Sequence, residues 1–488
     1  MLKKIRTTES LVQQHPIKTF NRLISTEKRV TGVCWHISLL SLFFILNTLF
    51  MGCTDNNFKT EQQITTDFLY NHVLDNNDNF SPDDQWLVYD TRTAEGGIAE
   101  SRKIEKVHIA SGEKVVLYAL KQNGPYGPGV GAVSYSHTDD EVIFIHGLLN
   151  CSPDMPYEQW RRTGVIIKDT DFGKPIFMDA RDITLPFTPG ALRGGTHRHE
   201  FSGDGQWIGF TYNDALLKKL EDSTGTTYNL RTIGVSKKGQ KLTIEDDANG
   251  ENITGQWFSA LVVQVVAEPT AGSNEVSRAA GDSWVGQYGY KTSNGKLQRA
   301  RAFIGTVNTK EGHNVDEVFI VDIPEDISST GENGPLEGTE ITMPAPPKGA
   351  SQRRLTFTAN SKSPGCEGII RSSYDGEMLA FLAYGKNQVK QIFTISPNGG
   401  TPVQRTFHLT DVLGSIRWHP KEYRLSYIWE NSIVSTEIGS NKFSVLTKAT
   451  RLPPTNTVWS HDGNTIAFNR IVSGEGEQSA EQIFIINL

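Results

Sequence analysis

The feature that most constrains this chain is a phrase that recurs along it. An aromatic residue is followed by a short polar turn, often carrying Asp-Gly, and then by an apolar strand. It reads Phe80-Ser-Pro-Asp-Asp-Gln-Trp86-Leu-Val-Tyr89, then Tyr135-Ser-His-Thr-Asp-Asp140-Glu-Val-Ile-Phe144, then Phe201-Ser-Gly-Asp-Gly-Gln-Trp207-Ile-Gly-Phe210. It returns at Tyr374-Asp-Gly, at Trp418-His-Pro and at Trp459-Ser-His-Asp-Gly, with a degenerate copy placed at Trp257-Phe-Ser-Ala-Leu. The last three starts are spaced at about 40 to 45 residues, the length of a four-stranded propeller blade. One such sheet cannot bury both faces, so its neighbours must stack on it. Seven starts predict an all-β fold, a seven-bladed β-propeller. The longer interval after Trp257 predicts an insertion-rich fourth blade at about 257–358, with a Gly/Pro-rich excursion near 328–350.

The chain ends on Ile483-Phe-Ile-Ile-Asn-Leu488, an apolar strand that leaves its blade one strand short. Gln63-Ile64-Thr65 resembles the blade-closing phrases Arg354-Leu355-Thr356 and Val445-Leu446-Thr447. The N-terminal strand is therefore expected to complete the last blade and remove the open edges.

The first 52 residues read as a leader outside the fold. Lys3, Lys4, Arg6, Lys18, Arg22, Lys28 and Arg29 precede an apolar run from Val33 to Met51. Leu49-Phe50-Met51-Gly52-Cys53 follows, the order of an export signal with a lipid-accepting Cys53. A run of about 20 apolar residues could instead span a bilayer. The lipoprotein reading predicts a polar tether at 53–61, a propeller at 62–488 and a place in a bacterial envelope. The membrane would be touched only through the lipid, on the periplasmic or outer-membrane face. The whole chain holds 48 Lys and Arg against 55 Asp and Glu. Removing a basic leader leaves the rest more acidic, which disfavours nucleic acid as a partner. Past Cys53 only Cys151 and Cys366 remain, too few for a disulfide framework or a CxxC metal site.

The repeat also sorts residues by face. His137, His419 and His461 fall in or beside the first turns and read as ordinary polar turn residues. The opposite rim gathers Leu192-Arg193-Gly-Gly-Thr196-His197-Arg198-His199, Asp90-Thr91-Arg92, His146 and Tyr212-Asn213-Asp214, with His72 and Asn76 at the start of blade 1. In an extended strand His197 and His199 share a face and could hold a transition metal with a third ligand from another blade. His72, Asn76, Tyr212, Asn213 and Asp214 are the candidate ligand-binding residues. Arg92 and Asp214 could equally form an inter-blade salt bridge. Trp284-Val-Gly-Gln287 fits a rim lid or packing, and Arg353-Arg354 a solvated strand end. No G-x-S-x-G, G-x-x-x-x-G-K-[ST] or H-E-x-x-H occurs, which removes the familiar serine-hydrolase, P-loop and zincin readings.

Several phrases in order carry a family resemblance: Asn71-His72, Asp84-Gln-Trp-Leu-Val-Tyr-Asp90, Phe144-Ile-His-Gly147, Thr188-Pro-Gly-Ala-Leu-Arg-Gly-Gly195, Phe210-Thr-Tyr-Asn-Asp214 and Gln352-Arg-Arg-Leu-Thr-Phe-Thr358. Over roughly 62–488 the chain resembles the YidR-like family, an uncharacterised bacterial family of TolB-type propellers. That resemblance implies the fold and no activity. The leader and a longer segment around Tyr288 to Leu297 depart from it. More distantly the repeats resemble oligogalacturonate lyase, a propeller enzyme that binds a divalent metal (Mn, Zn or Ca) through histidines and a glutamine. Here no Gln stands just before the His-x-His pair. By that resemblance His197 and His199 would bind the metal, Arg193 or Arg92 the uronate carboxylate, and a basic residue or His146 would take the proton. Three functions follow as expectations: binding of a small polar ligand such as an acidic oligosaccharide, metal-dependent lyase chemistry, or a TolB-like scaffold for another envelope protein.

Overall fold

The computed structural model describes residues 54–56 and 58–488, apart from 76–77, 94–96, 122–123, 248, 441 and 477. Alternating apolar runs separated by turns become seven radial sheets, each built on four antiparallel strands; those of blades 1 to 6 follow in chain order, and blade 7 takes its outer strand from the N-terminus. The innermost strands are Asn71–Val73, Val130–Tyr135, Gly194–Phe201, Arg278–Trp284, Cys366–Ser372, Val412–Trp418 and Thr455–Trp459, which define blades 1 to 7. Packing between neighbouring blades is apolar, as where Phe144 and Val165 of blade 2 meet Val88 of blade 1. Single indoles add to it. Trp284 Nε1 donates to the Glu200 carbonyl of blade 3 (3.0 Å), Trp418 to the Arg371 carbonyl of blade 5 (2.9 Å), and Trp459 to Ser426 Oγ of blade 6 (2.9 Å).

The N-terminal strand closes the ring, as the sequence predicts. Glu61–Gln63 lies antiparallel on the last strand, with Glu61 opposite Ile486 and Gln63 opposite Phe484, and Ile64 N donates to the Ile483 carbonyl (2.8 Å). Arg470 clamps Glu61 with two bonds of 2.6 and 2.9 Å. The turn face carries a second seam. There the Asp84 carboxylate of blade 1 accepts from His461 N (2.8 Å), His461 Nδ1 (2.8 Å) and Asp462 N (2.9 Å) of blade 7.

Two expectations change. Trp257 does not start blade 4: Phe258–Leu261 is the outer strand of blade 3, with Lys237 opposite Phe258 and Gly234 opposite Leu261. The true start is Trp284, at the end of Arg278–Trp284. Its turn holds an inserted hairpin, Tyr290–Lys291 against Leu297–Gln298, in place of a short Asp-Gly, and this disguises the phrase. The expected tether is also paired in part. Thr54–Asn56 runs parallel to Phe443–Val445 as a fifth strand on blade 6, and Lys59 N donates to the Leu446 carbonyl (2.7 Å). Cys53 lies outside the described residues.

The innermost strands share a device that matters for the site. Six of them lose register part-way along, between Gly131 and Ser134, His197 and Glu200, Ala280 and Ser283, Glu367 and Arg371, Gly414 and Arg417, and Thr455 and Val458. Five of these bulges carry a left-handed residue at the same place: Ala132, Arg198, Gly281, Ser415 and Asn456, with φ from 51° to 64°. A bulge re-aims the side chains that follow it, so strict i, i+2 alternation fails along the channel wall.

Candidate functional site

Beyond the bulge, the residue just before the strand end is charged in three blades: Glu200, Arg371 and Arg417. Glu200 and Arg417 line a cavity of about 400 Å³ at the turn face, whose wall also includes Asp78, His137, His419 and His461, and Arg371 stands beside Glu200. The indoles of Trp284 and Trp418 hold the backbones of Glu200 and Arg371, which ties blade packing to the position of the charges. Glu200 is nearly buried and lies 3.1 Å from Arg301 Nη2 and 3.9 Å from Arg371 Nη1. Arg301 is itself fixed by Asp282 (Nε to Oδ2, 2.8 Å) and lies flat across Gly209, where a Cβ would stand 1.9 Å from its Nη1.

Opposite the arginines runs a chain of acids and imidazoles. His137 Nε2 lies 3.5 Å from Asp78, His137 Nδ1 lies 3.3 Å from His461 Nε2, and His461 Nδ1 lies 2.8 Å from Asp84. Burial disfavours charge on His137, but the adjoining Asp78 carboxylate outweighs it and, with Glu200, raises the pKa above 6.5. Burial would raise the pKa of Asp78, yet His137, His461 and Arg371 hold it below the ordinary carboxylate value. Burial, reinforced by Arg417, pushes Arg371 well down, and burial takes Arg417 to about 10. Arg417 is half-buried, its Nε has no hydrogen-bond partner, and it forms no ion pair among the described residues. His419 is engaged, its Nε2 lying 3.2 Å from the Gly463 carbonyl and its Nδ1 3.2 Å from Lys421 N.

On the opposite rim most of the residues singled out in the sequence are engaged in structural contacts. His72 is buried at 3.2 Å from Asp67, and His146 is buried at 2.9 Å from the Tyr118 hydroxyl. Burial lowers the pKa of both. Arg92 pairs with Asp90 (Nε to Oδ1, 2.9 Å) and Asp75. Arg193, fully buried, bonds Asp214 (2.6 Å) and the carbonyls of Thr339 and Thr342, pinning the excursion of blade 4. The Arg92–Asp214 bridge, one of the two readings of these residues, does not form: Arg92 pairs with Asp90 and Arg193 with Asp214. Tyr212 donates to Asp214 (2.9 Å), and Asp214 caps the helix Ala215–Thr224 through Leu217 N (2.9 Å). Asn76 lies outside the described residues.

The His-x-His pair is split by the bulge at Arg198 (φ 53°). His199 turns to Thr196 Oγ1 (2.9 Å) and packs where a Cβ on Gly164 would stand 2.9 Å from its Nε2. Burial, then Arg162, takes its pKa to about 3. Burial, then Arg231 and Arg162, takes His197 well below 6.5. Arg162 donates to His197 Nδ1 (3.2 Å), which occupies one possible ligand nitrogen, and the two guanidiniums repel a cation. Among the described residues no group of three or more His, Cys, Asp or Glu is placed to hold a metal. The residues present do not fit the divalent ion that the lyase resemblance implies.

The fold is a seven-bladed propeller that gathers acids, imidazoles and arginines at its turn face. Residues 129–251 match a family described as protein of unknown function (DUF3748). The uncharacterized protein YidR of Escherichia coli (strain K12) is 36% identical over 406 residues, covering 82% of this chain and 92% of that protein. The chain belongs to the YidR family. Similar solved structures include the polysaccharide lyase Uly1, with TM-score 0.49 and 10% identity, covering 89% of this chain and 93% of that one. An oligogalacturonate lyase from Vibrio parahaemolyticus gives TM-score 0.36 and 9% identity, covering 90% and 96%.

Proposed function

We propose that the turn-face cavity binds a small carboxylate-bearing ligand of the acidic-oligosaccharide class. The observation that supports this reading is Arg417, half-buried in the cavity wall, with an unpartnered Nε and no carboxylate in ion-pair reach. A guanidinium taken partly out of water with only the through-space field of Asp78 and Glu200 to offset it is costly, and a planar carboxylate matches its fork. Asp78 and His137 across the cavity offer an acceptor and a donor for sugar hydroxyls, which would orient the ring.

Isothermal titration with digalacturonate, against a neutral disaccharide, tests the reading. The acidic sugar is expected to bind and the neutral one not. Arg417→Gln should weaken binding by about 10-fold or more, the loss of one charge-assisted pair. Equal heats for both sugars would refute it.

We also infer that the chain is exported and lipid-tethered through Cys53. The support is the basic segment, apolar run and Gly52-Cys53 of the sequence.

A further inference from the structure

The inner strands of blades 2 to 7 end at Tyr135, Phe201, Trp284, Ser372, Trp418 and Trp459. Two residues past each end stand His137, Gly203, Gly286, Tyr374, Pro420 and His461, and all six line the turn-face cavity. Each of these blades thus addresses the cavity through the same turn position, and the residue there sets what the cavity can touch. Blades 2 and 7 present imidazoles, and blades 3, 4 and 6 present Gly or Pro. Blade 5 alone of the six presents a phenol, Tyr374, which is 39% exposed.

The Tyr374 turn is held from both sides. Towards blade 4 its carbonyl accepts from Gln287 N (3.0 Å), and Gly286 N donates to Ser372 Oγ (2.8 Å). The two turns touch at Gly286 (φ 61°), where a Cβ would stand 2.8 Å from Gly376 N. Towards blade 6 the Tyr374 ring is backed by Tyr423, with centroids 5.7 Å apart at 36°, and the Tyr423 hydroxyl is fixed by donating to the Asp375 carboxylate. The Tyr374 hydroxyl has no hydrogen-bond partner among the described residues. A partly exposed ring held in place in this way stacks a ligand at little cost in conformational freedom.

Lys421 follows Pro420 in the same wall. It is exposed, its Nζ lies 3.4 Å from the Asp462 carbonyl, and it forms no ion pair among the described residues. Blade 6 therefore offers the cavity two cations, Arg417 half-buried and Lys421 at the surface, with the Tyr374 ring on the adjoining turn. A uronate chain repeats a carboxylate and a pyranose, and a pyranose has a face of C–H groups that can lie on an aromatic ring. The cavity of about 400 Å³ is in the range of small-molecule sites.

Building on the carboxylate reading of this cavity, we propose that Tyr374 and Lys421 form an outer subsite that selects uronate chains of two or more residues over the monomer. One carboxylate meets Arg417, the next ring lies on Tyr374, and the carboxylate of that ring meets Lys421.

The test is isothermal titration of the full-length protein with digalacturonate and with galacturonate. The wild type is expected to bind the dimer about 10-fold more tightly than the monomer. Tyr374→Ala should bring that ratio close to 1, and Tyr374→Phe, which keeps the ring, should preserve it. Lys421→Gln should narrow the ratio by about 3-fold at low salt and leave it unchanged in about 0.5 M salt, where an exposed pair is screened. A dimer preference that survives both in folded Tyr374→Ala and in Lys421→Gln at low salt would mark Tyr374 and Tyr423 as packing between turns and overturn the proposal. Equal affinity of the wild type for the two acids, with both weakened by Arg417→Gln, would overturn the outer subsite and leave the carboxylate reading standing. Failure of either acid to bind would overturn both.

Discussion

His137 and His461 look interchangeable in sequence, each a histidine in a polar turn, yet their partners separate them. Asp84 accepts from His461 Nδ1, so His461 Nε2 presents its lone pair to His137 (3.3 Å). His137 must then be the donor and is the member of the pair raised above 6.5. The sign of its linkage follows. A pKa raised on folding adds stability that is complete below the unfolded value and disappears as pH rises through the folded value. The melting-temperature gap between wild type and His137→Phe should therefore be widest near pH 5.5 and shrink towards pH 8. A gap that grows with pH would contradict the Asp78–His137 pairing. Gly209 acts at the same scale: Gly209→Ala should displace Arg301, loosen Glu200 and cost about 1–3 kcal/mol, read from urea unfolding.

At the scale of the strand, closure is concentrated in few bonds. Ile64 is 8% exposed, donates to the Ile483 carbonyl and joins the core with Leu74 and Val458. Ile64→Pro removes the N–H and reshapes the packing together, and should cost about 2–4 kcal/mol in a chemical-denaturation midpoint. The Glu61–Arg470 clamp and the Asp84 seam flank that strand, so opening there should precede global unfolding. Native-state hydrogen exchange would show this as early loss of protection at Ile64 and Ile485. The inner-strand bulges belong to this scale as well. They let one strand send an apolar side chain into the sheet packing and a charged one to the channel.

For the whole molecule, the outer edge of blade 6 carries Thr54–Asn56 as an added parallel strand. If Cys53 bears the lipid, that pairing leaves little slack between anchor and propeller. Labelling cells with an alkyne fatty acid should tag the wild type and not Cys53→Ser, and a wild type that takes up no label would favour an uncleaved apolar anchor over the lipid.

The repeat, the number of blades and the closing strand were legible along the chain, because a blade is built from local periodicity and short turns. Trp284 was hidden only because an inserted hairpin replaced its turn, and Trp257 imitated a start because an outer strand is equally apolar. The turn-face cavity was not legible: His137, His419 and His461 read as ordinary turn residues, and Glu200, Arg371 and Arg417 carry no local mark beyond a charge. The one faint signal, a charged residue just before the strand end in blades 3, 5 and 6, gains meaning only when the strands converge. Which arginine is paired and which is left without a carboxylate depends on residues from other blades, often more than a hundred positions away. Sequence periodicity therefore determined the propeller, and the tertiary structure alone decided which charged residues meet in its channel.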